Sequence, residues 1–180
     1  EAFVFQLADQ DRTVDRGVVY AAGRIVLFAA KASPLQVDPQ LTGLRSALAD
    51  GRISRFAIAN PEHAPYGRAA REALQAAGLW DTLQPRLVLG ENVSQAAQFA
   101  VSGSAQGGIF AYALVLAPAF AQAGRYVLVP EHMHQPLRQR MVLTRKAGAP
   151  AQAFYTYLQQ PAARALLLRH GFALAGEAAP

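Results

Sequence analysis

The segment Ile58 to Trp80, IANPEHAPYGRAAREALQAAGLW, constrains the fold most, because it takes an apolar strand through a proline-rich turn into an amphipathic helix. Ile58 and Ala59 end the apolar run RFAIA. Asn60-Pro61 stops that run, since Asn-Pro starts turns and proline cannot donate to a central ladder. Pro65 has its φ already set for a first helical turn. From Tyr66 onward, Ala69, Ala70, Ala73, Leu74 and Ala77 fall on one helical face, while Arg68, Arg71 and Glu72 point outward. Gly78 is the residue type expected just past a helix end.

The first turn of this helix offers amide N–H groups near Tyr66 and Gly67 at the positive end of the macrodipole, and Gly67 lets another group approach closely. An anion can dock at such a place without any charged side chain. Every strand-to-helix unit has a helix start of this kind, and most bind nothing, so the segment alone leaves both readings open.

The rest of the chain repeats the alternation. Phe3 to Leu7 is expected to form a strand, followed by the polar stretch ADQDRTVDRG. Gly23 to Ala30, GRIVLFAA, has the continuous apolar character of a strand buried on both faces. A loop with Pro34 and Pro39 leads to a short helix at Leu44 to Ala49, closed by Asp50-Gly51, and then to the strand Arg55 to Ala59. After Gly78, LWDTLQP is expected to turn and bury Leu79 and Trp80, and Leu87 to Leu89 to form a strand ended by Gly90. A second strand-to-helix junction follows in ENVSQAAQFAVSGS, with Asn92 as N-cap and a helix to about Val101. Further strands are expected at Gly108 to Tyr112, Tyr126 to Val129 and Met141 to Thr144, with a polar loop from Pro130 to Gln139. Helices at Pro150 to Gln159 and Pro161 to His170 close the chain, and Phe172 and Leu174 pack back onto the body. Strands alternating with helices define an α/β fold with a largely parallel sheet.

Composition narrows the function. With 52% hydrophobic and 16% charged residues, the 180-residue chain can bury a core and is not a disordered tail. Seventeen Lys+Arg against twelve Asp+Glu give a net charge of +5. Most of the arginines are scattered, and only Arg138, Arg140, Arg145 and Lys146 approach a cluster, so the excess is expected to be solvated surface with no nucleic-acid partner. The absence of cysteine excludes disulfides, thiolate metal sites and a cysteine nucleophile. No signal-peptide pattern stands in these residues, no apolar run reaches membrane-spanning length, and the apolar opening EAFVFQLADQ is expected to start inside a fold.

Candidate chemistry is sparse. His132 and His134 lie two apart beside Glu131, a spacing that puts both rings on one strand face, but no third ligand stands at sensible spacing and no metal is expected there. His63 follows Glu62 in the proline-rich turn and, with no nucleophile motif nearby, is expected to hydrogen-bond the turn. GxSxG, GxxxxGK[ST] and HExxH are all missing, so no enzyme is expected. What remains is the pair of junctions at Tyr66 and Val93. In an open α/β sheet such junctions lie at the carboxyl ends of strands, where ligands collect. Two helix starts aimed at one point would suit a tetrahedral oxyanion. A fully deprotonated dianion has only acceptor oxygens and demands donors without carboxylates. Tyr66, Gly67, Val93 and Ser94 meet that demand, provided that Glu62 and Glu91 point away.

At this point the chain resembles the periplasmic molybdate-binding proteins of ABC transporters, within the type II solute-binding fold. The likeness runs over essentially the whole chain. It rests on ADQ at Ala8 to Gln10, GRIVLFAAKASPL at Gly23 to Leu35, the stretch from Ile58 to Ala96 with its NPEHAPYGRAA and ENV elements, AQGGIFAY at Ala105 to Tyr112, and AFYTYLQQPAARALLLRHGF at Ala153 to Phe172. The resemblance implies two α/β lobes, each with a mostly parallel sheet, that close on molybdate or tungstate held by neutral N–H and hydroxyl groups. It places ligand donors on Tyr66 and Val93, with Gly67 and Asn92 beside them, and a tyrosine hydroxyl near Tyr112, whose family position falls on Ala111. No cofactor and no side-chain metal ligand are implied. The implied partners are the small oxyanion and the transporter's membrane permease, and the implied location is the periplasm.

Family members begin with a further segment carrying an Ala-Ser or Thr-Asn motif and a serine at a helix start, and neither stands in these residues. The expectation is therefore an incomplete N-terminal lobe, with residues 1–28 and 140–180 its remnant and 29–139 the second lobe. Weakened anion binding and non-native homo-oligomers through uncovered edges are expected to follow. Competing readings are a receptor for sulfate, thiosulfate or phosphate, although a phosphate site usually wants an acceptor, and the effector-sensing domain of a transcription regulator.

Overall fold

The computed structural model describes residues 1–174 and divides into two compact units, one made of Glu1–Gly23 with the residues from Arg138 on, the other of Arg24–Leu137. In chain order the elements are α1 (Ala2–Asp9), β1 (Val18–Gly23), β2 (Ile25–Ala30), α2 (Thr42–Ala49), β3 (Phe56–Ala59) and α3 (Pro65–Ala76). Then come α4 (Trp80–Leu83), β4 (Leu87–Gly90), α5 (Val93–Val101), β5 (Gly107–Ala111), α6 (Tyr112–Val115) and α7 (Pro118–Ala121). The chain closes with β6 (Gly124–Leu128), β7 (Leu137–Met141), α8 (Ala149–Tyr157) and α9 (Pro161–Arg169). The units part at Gly23 and Arg24, not at residue 28, because a boundary there would cut β2, a single strand of the larger unit's sheet.

That sheet has the order β4-β3-β5-β2-β6. β3 runs parallel to β4 and to β5, whereas β2 is antiparallel to both β5 and β6, so the sheet is mixed, with one reversed strand between two that run the common way. The apolar run of β2 has the predicted double burial: Ile25 to Ala29 are fully inaccessible. Alternate side chains serve opposite layers. Ile25, Leu27 and Ala29 join Phe56, Ile58 and Ile109 beneath Leu44 and Ala47 of α2 and Ala69, Ala70, Ala73 and Leu74 of α3. Val26 and Phe28 join Ala57 and Phe110 beneath Ala97 and Ala100 of α5. Burial of each large apolar side chain contributes about 1.5–3 kcal/mol, which makes this core the main source of the unit's stability.

Some local details differ from expectation. Trp80 starts α4 and is only half-buried, whereas Leu79 is buried as predicted. β5 ends one residue early, and Tyr112 opens α6 instead of closing the strand.

The start of α2 shows a charge placed for a helix terminus. Its N-cap, Leu41, is left-handed (φ 59°) and makes no side-chain cap. Asp38 takes over, with Oδ1 accepting from the amides of Gln40 and Thr42 at 3.0 Å each and Oδ2 from that of Gly43 at 2.7 Å. Burial alone would raise the Asp38 pKa, but these N–H donors outweigh it and hold the carboxyl below its usual range. A depressed pKa contributes stability that is present above the unfolded value, near 3.8, and is lost as pH falls through the folded one. Asp38→Ala is therefore expected to lower unfolding stability by about 1 kcal/mol at pH 7. Urea titrations at pH 7 and pH 3 should show the gap to the parent chain closing at the lower pH.

In the smaller unit β1 and β7 form a two-stranded sheet. Two expectations are corrected here. Phe3 to Leu7 is helix α1, not strand: a short apolar run fits either form, and a helix satisfies its amides internally, as Val4 and Phe5 do on the Glu1 carbonyl. The expected strand Met141 to Thr144 lies four residues earlier as β7, leaving Thr144 only an isolated antiparallel bridge to Thr13. Arg140 of β7 ties the unit together. It donates from Nε (3.0 Å) and Nη2 (2.8 Å) to Oε1 of Glu1 and from Nη1 to the carbonyls of Arg16 and Gly17, while its guanidinium covers the Phe5 ring at 4.8 Å. Leu174 is buried and Phe172 half-buried, so the terminal segment packs back as expected.

Candidate functional site

β3 and β4 are parallel with Ala59 beside Gly90, so both strands end at the same edge of the larger unit's sheet. The chain crosses that edge with a backbone link, Asn60 N–H donating to the Gly90 carbonyl at 2.7 Å. From there α3 folds onto the layer of Ile58 and α5 onto the opposite layer of Ala57. The connections thus leave β3 and β4 toward opposite faces, which opens a crevice at the carboxyl ends of the strands. Ala64, the N-cap of α3, and Val93, the first residue of α5, meet in one apolar cluster with Ala59 and Ala96. The two helix starts are therefore neighbours, and the positive ends of both dipoles lie together.

Two glycines make this approach possible. A Cβ on Gly67 would stand 2.2 Å from the Ala59 carbonyl oxygen, and one on Gly90 would stand 2.6 Å from the Ala96 nitrogen. Only a residue without a side chain lets each helix start press this closely on a strand end.

The two first turns are finished differently. At α5, Asn92 is extended (φ −147°, ψ 172°), and its Oδ1 accepts from the Gln95 amide at 2.9 Å. Gln95 reaches back, its Oε1 accepting from the Glu91 amide at 2.7 Å. Asn92 thus caps its own helix and holds the Val93 and Ser94 amides in place. Gln95 escaped the sequence reading, although an Asn with Gln three residues on has the spacing of a capping box. At α3 the N-cap is Ala64, which makes no side-chain cap, and Pro65 brings no amide to the first turn, so Tyr66 and Gly67 are the first residues there with an N–H.

The two carboxylates that ought to avoid an anion are both engaged. Glu62 Oε1 lies 3.1 Å from Arg71 Nη1, and Glu91 Oε2 lies 3.5 Å from His63 Nε2. The same His63 nitrogen is 2.9 Å from the Glu91 carbonyl oxygen. His63 therefore bonds the opposite turn, not its own as expected.

Tyr112 stands at the carboxyl end of β5, on the same edge, its amide donating to the Arg24 carbonyl at 2.8 Å. Its ring centroid lies 4.9 Å from the Arg24 guanidinium carbon and 5.9 Å from the ring centroid of Tyr126. Burial, and then the neighbouring Tyr112, push the Tyr126 hydroxyl pKa up. Tyr112 and Val93 pack against the same cluster around Phe28 and Phe110. The edge therefore gathers Tyr66, Gly67, Asn92, Val93 and Tyr112. His132 and His134 belong to a different segment, in and after the 3-10 turn Glu131–Met133, where His134 Nδ1 lies 2.8 Å from the Gln135 carbonyl oxygen. Among the described residues no three His, Asp or Glu side chains group as a metal set.

A mixed sheet covered on both faces, with two helix starts converging at one strand end, is the scaffold of an α/β ligand-binding protein. The description "bacterial extracellular solute-binding protein" matches residues 1–173, and the chain belongs to that family, standing with its molybdate-binding members of the type II fold. It is 36% identical over 155 residues to the molybdate-binding protein ModA of Rhodobacter capsulatus, covering 85% of this chain and 58% of that one. The ModA of Escherichia coli strain K12 is 34% identical over 189 residues, covering 96% of this chain and 70% of the relative. Among solved structures, the periplasmic molybdate-binding protein of Azotobacter vinelandii superposes with a TM-score of 0.81 at 30% identity, covering 94% of this chain and 73% of that one. The sulfate-binding protein SubI of Mycobacterium tuberculosis H37Rv shares the fold, with a TM-score of 0.74 at 14% identity. The chain spans less than two thirds of the Rhodobacter relative's length.

Proposed function

We propose that this chain carries the oxyanion-binding half-site of a periplasmic solute receptor serving an ABC importer. Its ligand is molybdate or tungstate, and its macromolecular partner is the importer's membrane permease. The observation that carries this reading is the convergence of α3 and α5 at Ala59 and Gly90, which gathers backbone donors at one point while Arg71 and His63 occupy the two nearby carboxylates. The names of the Rhodobacter, Escherichia and Azotobacter relatives supply the choice of anion. The amides of Tyr66, Gly67 and Val93 hold the oxygens, Asn92 sets the α5 turn, and Tyr112 borders the site.

The 180 residues hold the anion weakly by themselves. A charge-assisted hydrogen bond contributes about 1.5–3 kcal/mol, and the donors of the Ala-Ser or Thr-Asn motif and of the serine helix start are not among these residues. A thermal-shift panel of molybdate, tungstate, sulfate, thiosulfate and phosphate tests the reading. Molybdate and tungstate at millimolar concentration are expected to raise the melting temperature, and the other anions to leave it unchanged. An equal response to sulfate, or none to any anion, would overturn the assignment, and micromolar molybdate affinity would overturn the weakness.

A further inference from the structure

We infer that His63 is a positioning residue for the oxyanion site, holding the two anion-facing turns in register; the inference rests on the function proposed above. The two turns come from different strand-to-helix units, and among the described side chains His63 reaches from one to the other. It extends from the β3–α3 turn to the main chain of the β4–α5 turn, one residue before the Asn92 cap. Both acceptors of its Nε2, the Glu91 carbonyl oxygen at 2.9 Å and the Glu91 carboxylate at 3.5 Å, require that this nitrogen carry a proton. Gln95 holds the Glu91 amide from the other side, so the residue preceding the cap is clamped between the two junctions.

The charged groups around the clamp are Glu91 on the opposing turn, Glu62 next to His63 in sequence, and Arg71 of α3, which binds Glu62.

Amide-resolved NMR titration of the 180-residue chain with sodium molybdate reads the clamp, since it registers weak binding and the site geometry without anion. His63→Ala should shift the Val93 and Ser94 amides before any anion is added and weaken molybdate binding about two- to tenfold, the scale of one hydrogen bond. His63→Gln keeps an N–H in reach of the Glu91 carbonyl and should restore both the anion-free amide positions and the affinity. Dispersed spectra of each variant verify folding. A His63→Ala chain with parental amide positions and parental molybdate affinity would overturn the inference while leaving the site assignment standing. A parent chain whose Gly67 and Val93 amides ignore molybdate at every pH would sink the site assignment and this inference together.

Discussion

Gly67→Ala is expected to destabilise the chain by about 2–3 kcal/mol, the cost of forcing a methyl group into a packed contact, and to abolish its response to molybdate. The three atoms nearest the added Cβ are the Ala59 oxygen at 2.2 Å, the Ala59 carbonyl carbon at 2.7 Å and the Asn60 carbonyl carbon at 2.9 Å, all backbone. No rotamer change can relieve such a contact, so α3 must lift off the end of β3. Alanine's better helix propensity returns at most about 1 kcal/mol, and the clash wins. A melting temperature lower by roughly 5–10 °C follows for a chain of this length. Parental stability in urea would show that the helix start is not pressed on the strand.

Val93→Pro isolates a single donor. Val93 is the first residue of α5, the one helical position where proline is accepted, and the residue before it is already extended (Asn92, φ −147°, ψ 172°), as a residue preceding proline must be. The substitution removes the Val93 N–H with little strain on the helix, beyond the packing lost against Ala59, Ala64 and Ala96. Molybdate affinity should fall about 10- to 100-fold, the equivalent of one charge-assisted hydrogen bond. Val93→Ala, which keeps the N–H, is the control. Equal affinities for the proline and alanine variants, measured by the same NMR titration, would remove Val93 from the donor set.

The two junctions were legible in the sequence because each is built from local signals. Pro65 inside a helix start, Asn92 as N-cap, and glycines at positions 78 and 90 act within a few residues and need no knowledge of the rest of the fold. β2 was legible for a different reason, its unbroken apolar run, although nothing local shows that it runs against its neighbours. What failed depends on partners far along the chain. Phe3 to Leu7 had the composition of a strand, but a strand needs an edge to pair with and a helix does not. Val18–Gly23 escaped notice at the end of a polar stretch, and β7 was displaced into the apolar residues after it, because their pairing with each other joins opposite ends of the chain. In the site, the residue types were readable and the links between turns were not. His63 and Glu91 are separated by a whole helix and strand, and only the parallel pairing of β3 with β4 brings them together.

The reversed strand β2 also determines when the larger unit can assemble. Ile25 pairs with Ala111 and Val26 with Leu128, so each ladder of β2 closes a loop of roughly ninety residues, at an entropic cost of about 4 kcal/mol. The β3–α3–β4–α5–β5 segment pairs among near neighbours and can organise early. β2 is made first and docks late, its apolar faces uncovered until β5 and β6 exist, so sheet closure is expected to be the slow step of folding. The carboxyl edge that gathers the donors belongs to the segment that organises early, so it can form before that step.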